Sequence, residues 1–113
     1  MNDKPSDNIK LQIKNEKSIS VLAFMEAKEG KVQELIKHVL SIVAPTRKEE
    51  GNIAFVPCIY LDNSNQIMVD EIWASKEALD NHFNTDHMKD ISPKIQPILT
   101  KPLEIRIYKE VTQ

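Results

Sequence analysis

The run ISVLAFM at 19–25 is apolar at every position except Ser20, and the residues behind it change period. A run this short and this continuously apolar marks a strand buried on both faces rather than one with a wet side. From Lys31 onward Val32, Leu35, Ile36, Val39, Leu40, Ile42 and Val43 recur at helical spacing, which predicts a long amphipathic helix. Pro45 should kink or restart the last part of that helix, because it donates no N–H and crowds the carbonyl four residues back. Gly51 suits the left-handed residue that closes a helix.

Two further strands are predicted at 53–61 and 66–73, joined by the turn-forming run LDNSNQ, and together they read as a hairpin. Ser75 can cap a short helix through about Asn84. Thr85 and Asp86 can open another, with Met88, Ile91 and Ile95 as its apolar positions and Pro93 and Pro97 disturbing its end. Leu103, Ile105, Ile107 and Val111 alternate in a last strand over 102–111. The order strand, helix, strand, strand, helix, strand predicts an α+β, ferredoxin-like fold: a four-stranded antiparallel sheet with its helices on one face. Residues 1–17 are polar apart from the alternating Ile9, Leu11 and Ile13, and read as a tail or short edge strand before a single domain over 18–113. With helices on one face only, Leu22 and Phe24 would meet water on the other. A homodimer with two sheets face to face is the simplest cover.

Several function classes fall away on composition. Fifteen Lys and Arg against 17 Asp and Glu give a net charge of −2, far from the basic balance that nucleic acid attracts. No apolar run approaches a membrane span, and the N-terminus lacks the apolar core of a signal peptide, so a cytoplasmic location is expected. The lone Cys58 cannot form an internal disulfide and reads as a structural thiol. With only Gly30 and Gly51 available, no glycine-rich phosphate loop can be written, which argues against nucleotide cofactors.

The chemistry-bearing residues concentrate in EIWASKEALDNHFNTDHMK at 71–89. Ile67, Val69, Glu71 and Trp73 share one strand face by the two-residue period, while Ala78, Leu79, His82 and Phe83 share one helix face. If both faces look inward, Trp73, Glu71 and His82 border one cavity; the plainer alternative is a core histidine and a packing tryptophan. His82 and His87 stand five apart, about 140° around a continuous helix. They do not form an i, i+4 metal pair, and no metal site is expected. His38 reads as solvated, and RKEE at 47–50 as a solvated helix end.

The segment IVAPTRKEEGNIAF, the E-x-W of Glu71 to Trp73 and the ALDNHFNTDHMK that follows resemble the antibiotic biosynthesis monooxygenase superfamily, and most of all its quinol monooxygenases. The resemblance covers roughly residues 18–110. It implies a dimeric α+β barrel and cofactor-independent oxidation of a small aromatic hydroxy compound by O₂, and it raises the weight of His82, Trp73 and His87. Haem-degrading relatives carry an asparagine near Ala23 and an iron-ligating histidine near Ser92, and place a tryptophan near His82. Haem degradation is therefore disfavoured. A non-catalytic dimeric binding module, or an enzyme isomerising or degrading a small signalling metabolite, remains an alternative.

On the monooxygenase reading, O₂ reacts without metal or flavin only with an electron-rich substrate such as a hydroquinone anion. His82 is the expected base, because imidazole titrates near neutral pH, and Glu71 would set its tautomer if it reaches the ring. Otherwise Glu71 pairs with Arg106 or a lysine. Trp73, Phe83 and Phe55 would wall the aromatic ring, and His87 would assist at the mouth.

Overall fold

The computed structural model describes residues 15–111, so the Ile9, Leu11 and Ile13 alternation lies outside the described residues. The elements are β1 (Ile19–Glu26), α1 (Val32–Ser41), α2 (Val43–Arg47), β2 (Asn52–Ile59), β3 (Gln66–Trp73), α3 (Lys76–Phe83), α4 (Asp86–Ile95) and β4 (Glu104–Tyr108), with a 3-10 turn at Gln96–Ile98. The sheet runs β2-β3-β1-β4, antiparallel throughout, with β1 and β3 central. This is the expected ferredoxin-like arrangement.

Burial alternates along β1. Ile19, Val21, Ala23 and Met25 are buried under the helices, and Ser20, Leu22, Phe24 and Glu26 are half-buried on the opposite face. The helix side divides into two apolar clusters. Leu35, Val39, Phe55, Val69, Ile91 and Ile95 belong to the larger, while Val21, Trp73, Ala78 and Leu79 form most of the smaller. On the opposite face the register sets Val56, Asp70, Leu22 and Arg106 in one cross-strand row, and Cys58, Met68, Phe24 and Glu104 in the next. The Arg106 guanidinium lies over the Phe24 ring, 5.3 Å from its centre.

Predicted boundaries move in several places, β2 for one ending at Ile59 rather than 61. The long helix breaks at Ile42, earlier than Pro45, and restarts as α2 with Pro45 in its first turn, where a missing N–H is one of the donors a helix leaves unpaired anyway. The last strand is shorter than 102–111, because β4 pairs only with β1 and its register ends at Ser20 opposite Tyr108. Val111 is consequently exposed, and Leu103 packs on the core from outside the strand.

Gly51 has a φ of +91°, and a Cβ there would stand 2.5 Å from the Cβ of Ala78. Side chains are therefore barred twice, by the left-handed backbone and by the close approach to α3. Ala74 N–H donates to the Gly51 carbonyl at 2.7 Å, and Asn52 N–H to that of Glu49 at 3.2 Å. The turn after α2 is thus pressed against the start of α3.

Candidate active site

β3 turns Ile67, Val69, Glu71 and Trp73 toward the helices, all at or below 5% exposure, as the two-residue period requires. α3 returns across them. Ser75 caps it, its Oγ accepting from Ala78 N–H at 3.1 Å, and this phase buries Ala78, Leu79 and His82. Between sheet and helices lies a narrow cavity of about 40 Å³, lined by Ala23, Phe55, Val69, Phe83, Met88, Ile91 and other apolar side chains. Only two of its lining residues are polar, Glu71 and His82.

His82 is 2% exposed, with the rings of Trp73, Phe83 and Phe55 centred 4.7, 5.4 and 5.9 Å away. Its Nδ1 lies 2.7 Å from Glu49 Oε2, and Nε2 of His87 lies 2.6 Å from the same oxygen. An ionised carboxylate oxygen only accepts, so both histidines donate to it. Donation from Nδ1 leaves Nε2 of His82 with its lone pair and without a partner among the described residues. Burial lowers the His82 pKa against the bond and charge of Glu49, which raise it, and His87 lowers it further.

Glu71 does not reach the imidazole. Its Oε1 accepts from Trp73 Nε1–H at 2.8 Å. Arg106 does not reach Glu71 either: it lies on the other face of the sheet, its Nε donating to Glu104 Oε2 at 2.7 Å. Burial pushes the Glu71 pKa up to about 7, the Trp73 bond opposing and the charges of Glu49 and Asp70 assisting. The orienting role expected of Glu71 falls geometrically to Glu49.

RKEE is an exposed helix end at Arg47, Lys48 and Glu50, as expected, but not at Glu49. Arg47 donates from Nε and Nη2 to the Phe55 carbonyl at 3.1 and 2.8 Å, and the Glu49 side chain is only 11% exposed. The turn held down by Gly51 brings Glu49 inward. A further correction concerns the histidines, because the 140° separation assumed one helix. The chain breaks at Asn84, and Thr85 donates from Oγ1 to the His82 carbonyl at 2.7 Å while accepting from Met88 N–H at 3.4 Å. The new axis of α4 turns His87 back toward His82, their ring centres 6.1 Å apart.

Glu49, His82 and His87 thereby place three metal-type donor atoms within 4.8 Å of one another, a set of two imidazoles and a carboxylate that could hold a divalent ion. Of the other residues singled out in the sequence, Phe55 is buried in the cavity wall and Phe83 stands half out at its rim, whereas Trp73, fully buried in the smaller cluster behind His82, and His87, 22% exposed on the outer side of Glu49, do not line the cavity as expected. His38 sits apart on α1, its Nε2 3.6 Å from Glu34. Cys58 is on β2, its Sγ 3.6 Å from the Val56 carbonyl. The signal for Glu49 was present in IVAPTRKEEGNIAF, as an acid two residues before a glycine, but local pattern alone gives it no direction.

The profile of the family described as antibiotic biosynthesis monooxygenase matches residues 18–94. An uncharacterised protein of Synechocystis is 32% identical over 108 residues, 93% of this chain and 72% of that one. A Bacillus subtilis protein provisionally named a monooxygenase, YcnE, is 26% identical over 77% of this chain and 92% of its own. Among solved structures, a conserved protein from Methanosarcina mazei is 34% identical with a TM-score of 0.81, covering 85% of this chain and 95% of that one.

Proposed function

Because the chain belongs to the antibiotic biosynthesis monooxygenase family, we propose that it is a cofactor-independent monooxygenase acting on a small, quinol-like aromatic hydroxy compound with O₂. The observation that carries this is the 2.7 Å contact between His82 Nδ1 and Glu49 Oε2. Glu49 holds Nδ1–H, and Nε2 is left as a base beside an apolar cavity walled by Phe55 and Phe83.

His82 Nε2 takes the phenolic proton, and Glu49 stabilises the imidazolium that forms. The phenolate passes one electron to O₂, and the resulting semiquinone and superoxide combine at a ring carbon. Loss of water from the hydroperoxide leaves a carbonyl. For a hydroquinone the balance is one O₂ consumed, one oxygen atom gained by the ring, one water released and a hydroxyquinone formed. The substrate supplies all four electrons, so no external reductant enters. A cavity of about 40 Å³ takes a few waters and is smaller than an aromatic ring. Substrate entry therefore requires Phe83 at the rim and the unbranched Met88 to move aside.

The same narrowness favours a second reading, a binding module without turnover. O₂ uptake by the dialysed protein with a panel of hydroquinones separates the two: uptake of one O₂ per quinone formed is expected, and ligand binding without uptake would favour the module. Uptake should also persist in EDTA. Its abolition, with recovery on adding one divalent ion, would make Glu49, His82 and His87 metal ligands and overturn the cofactor-independent reading.

Assembly is part of the proposal. We infer a homodimer in which the sheet face carrying Leu22, Phe24, Val56 and Met68 packs on its copy. Leu22 and Phe24 lie on the face away from the helices, and a second sheet packed on it would cover these side chains.

A further inference from the structure

We propose that Glu71 is a recognition residue whose carboxyl group hydrogen-bonds a second oxygen of the substrate, so that the cavity selects uncharged aromatic compounds bearing two oxygen substituents. The inference rests on the reading of this cavity as the substrate site and specifies its ligand more narrowly. Glu71 is 5% exposed, and Trp73 occupies only Oε1. Oε2 has no partner among the described residues, yet it is not among the sealed, unpaired atoms of the interior, where Thr46 Oγ1 stands alone. Glu71 lines the cavity, and this is where the proposal places Oε2.

A buried carboxyl oxygen without a partner is costly unless a ligand or water completes it. Everything else in the lining except His82 is apolar, so a ligand can make two polar contacts there, one to each group. His82 sits on α3 and Glu71 on β3, which places the two contacts on different walls. A ring with oxygens at separate positions meets both; a ring with one oxygen leaves one wall unanswered.

The lining also contains no lysine or arginine. The charged neighbours acting on Glu71 are Glu49 and Asp70, both acidic. A carboxylate, sulfonate or phosphate on the ligand would enter an apolar space facing acids and no cation, and would be rejected. The ligand arrives neutral and becomes an anion only after His82 has taken its proton. Below pH 7 Glu71 is mostly protonated and can donate to the second oxygen; above it the group only accepts.

Calorimetric titration of the dimer-competent full chain with three probes tests this without using turnover. The probes are 1,4-dihydroxybenzene, phenol and 2,5-dihydroxybenzoate. The wild type is expected to bind the first about tenfold or more tighter than the other two, and this preference should weaken as pH rises through about 7. Glu71→Gln keeps an acceptor for Trp73 and a donor for the ligand, so it should retain the preference and lose its pH dependence. Glu71→Leu should bind the dihydroxy and monohydroxy probes alike. Equal wild-type affinity for the three probes, or no binding of any, overturns the proposal, as does a Glu71→Leu protein that keeps the preference. Should Glu71→Leu fail to fold, the wild-type and Glu71→Gln results decide alone. The two readings separate cleanly: preference with no O₂ uptake removes the monooxygenase and keeps Glu71, whereas uptake without preference removes Glu71 and keeps the monooxygenase.

Discussion

His82 and Glu71 share one apolar enclosure with pKa values displaced in opposite senses, His82 downward and Glu71 up to about 7. A base must be unprotonated and a donor protonated, so kcat/KM should be bell-shaped. Its acid limb should lie below the ordinary histidine value of 6.5 and its alkaline limb near 7; in Glu71→Gln the alkaline limb should vanish. His82→Ala removes the proposed base and leaves Glu49 tied to His87, so turnover should fall by about 10² to 10⁴ while the fold persists. Full activity per folded molecule would remove His82 from the mechanism. Glu71 also makes a prediction about stability. Its folded pKa is raised from 4.5 to about 7, so the native state holds the proton more tightly than the unfolded chain does. The stability this contributes is present below about pH 4.5 and is lost as pH rises through 7. Glu71→Gln, which cannot ionise, should therefore be the more stable protein above pH 7, by something on the order of 1 to 3 kcal/mol. Melting curves at pH 5 and pH 8 check it: the gain should appear at pH 8 and shrink at pH 5.

Among the elements, those with a clean period were legible in the sequence. β3 places Glu71 and Trp73 on one inward face, and α3 places His82 opposite them, because periods of two and 3.6 fix direction without tertiary knowledge. What escaped depends on how elements meet. Glu49 belongs to a turn with no period, and its inward direction comes from the contact of Gly51 with Ala78. The approach of His87 to His82 and Glu49 escaped because the break before Thr85 starts a new helix axis. The end of β4 was set by where β1 runs out of pairing positions, which the alternation of Ile105, Ile107 and Val111 does not report. Gly51→Ala tests the turn directly. A Cβ 2.5 Å from that of Ala78, on a backbone at φ +91°, should cost about 1 to 3 kcal/mol or more. It should also pull Glu49 from His82, so turnover per folded molecule should drop as well; an unchanged rate in the surviving fold would mean that the turn does not position Glu49.

At the level of the whole molecule, the sheet face away from the helices has a charge pattern suited to a two-fold axis. In the row Val56, Asp70, Leu22, Arg106, an acid and a base flank Leu22 on neighbouring strands. An axis near Leu22 lays Asp70 of one copy toward Arg106 of the other. Light scattering at micromolar concentration should give about twice the 13.0 kDa chain mass. Arg106→Glu should shift the protein toward monomer, and adding Asp70→Arg should restore the dimer; a stable wild-type monomer would sink the arrangement. β4 adds a temporal consequence. It is the fourth strand in sequence yet pairs only with the first, Phe24 meeting Glu104 and Ser20 meeting Tyr108, whereas β2 and β3 close through a short turn. The hairpin can zip early, but β4 must find its place across nearly the whole chain, and loop closure over that span makes its docking a late, slow event. Since Leu103 and Ile105 line the cavity, a newly made chain would bring Glu49, Glu71 and both histidines together before the chamber around them is shut.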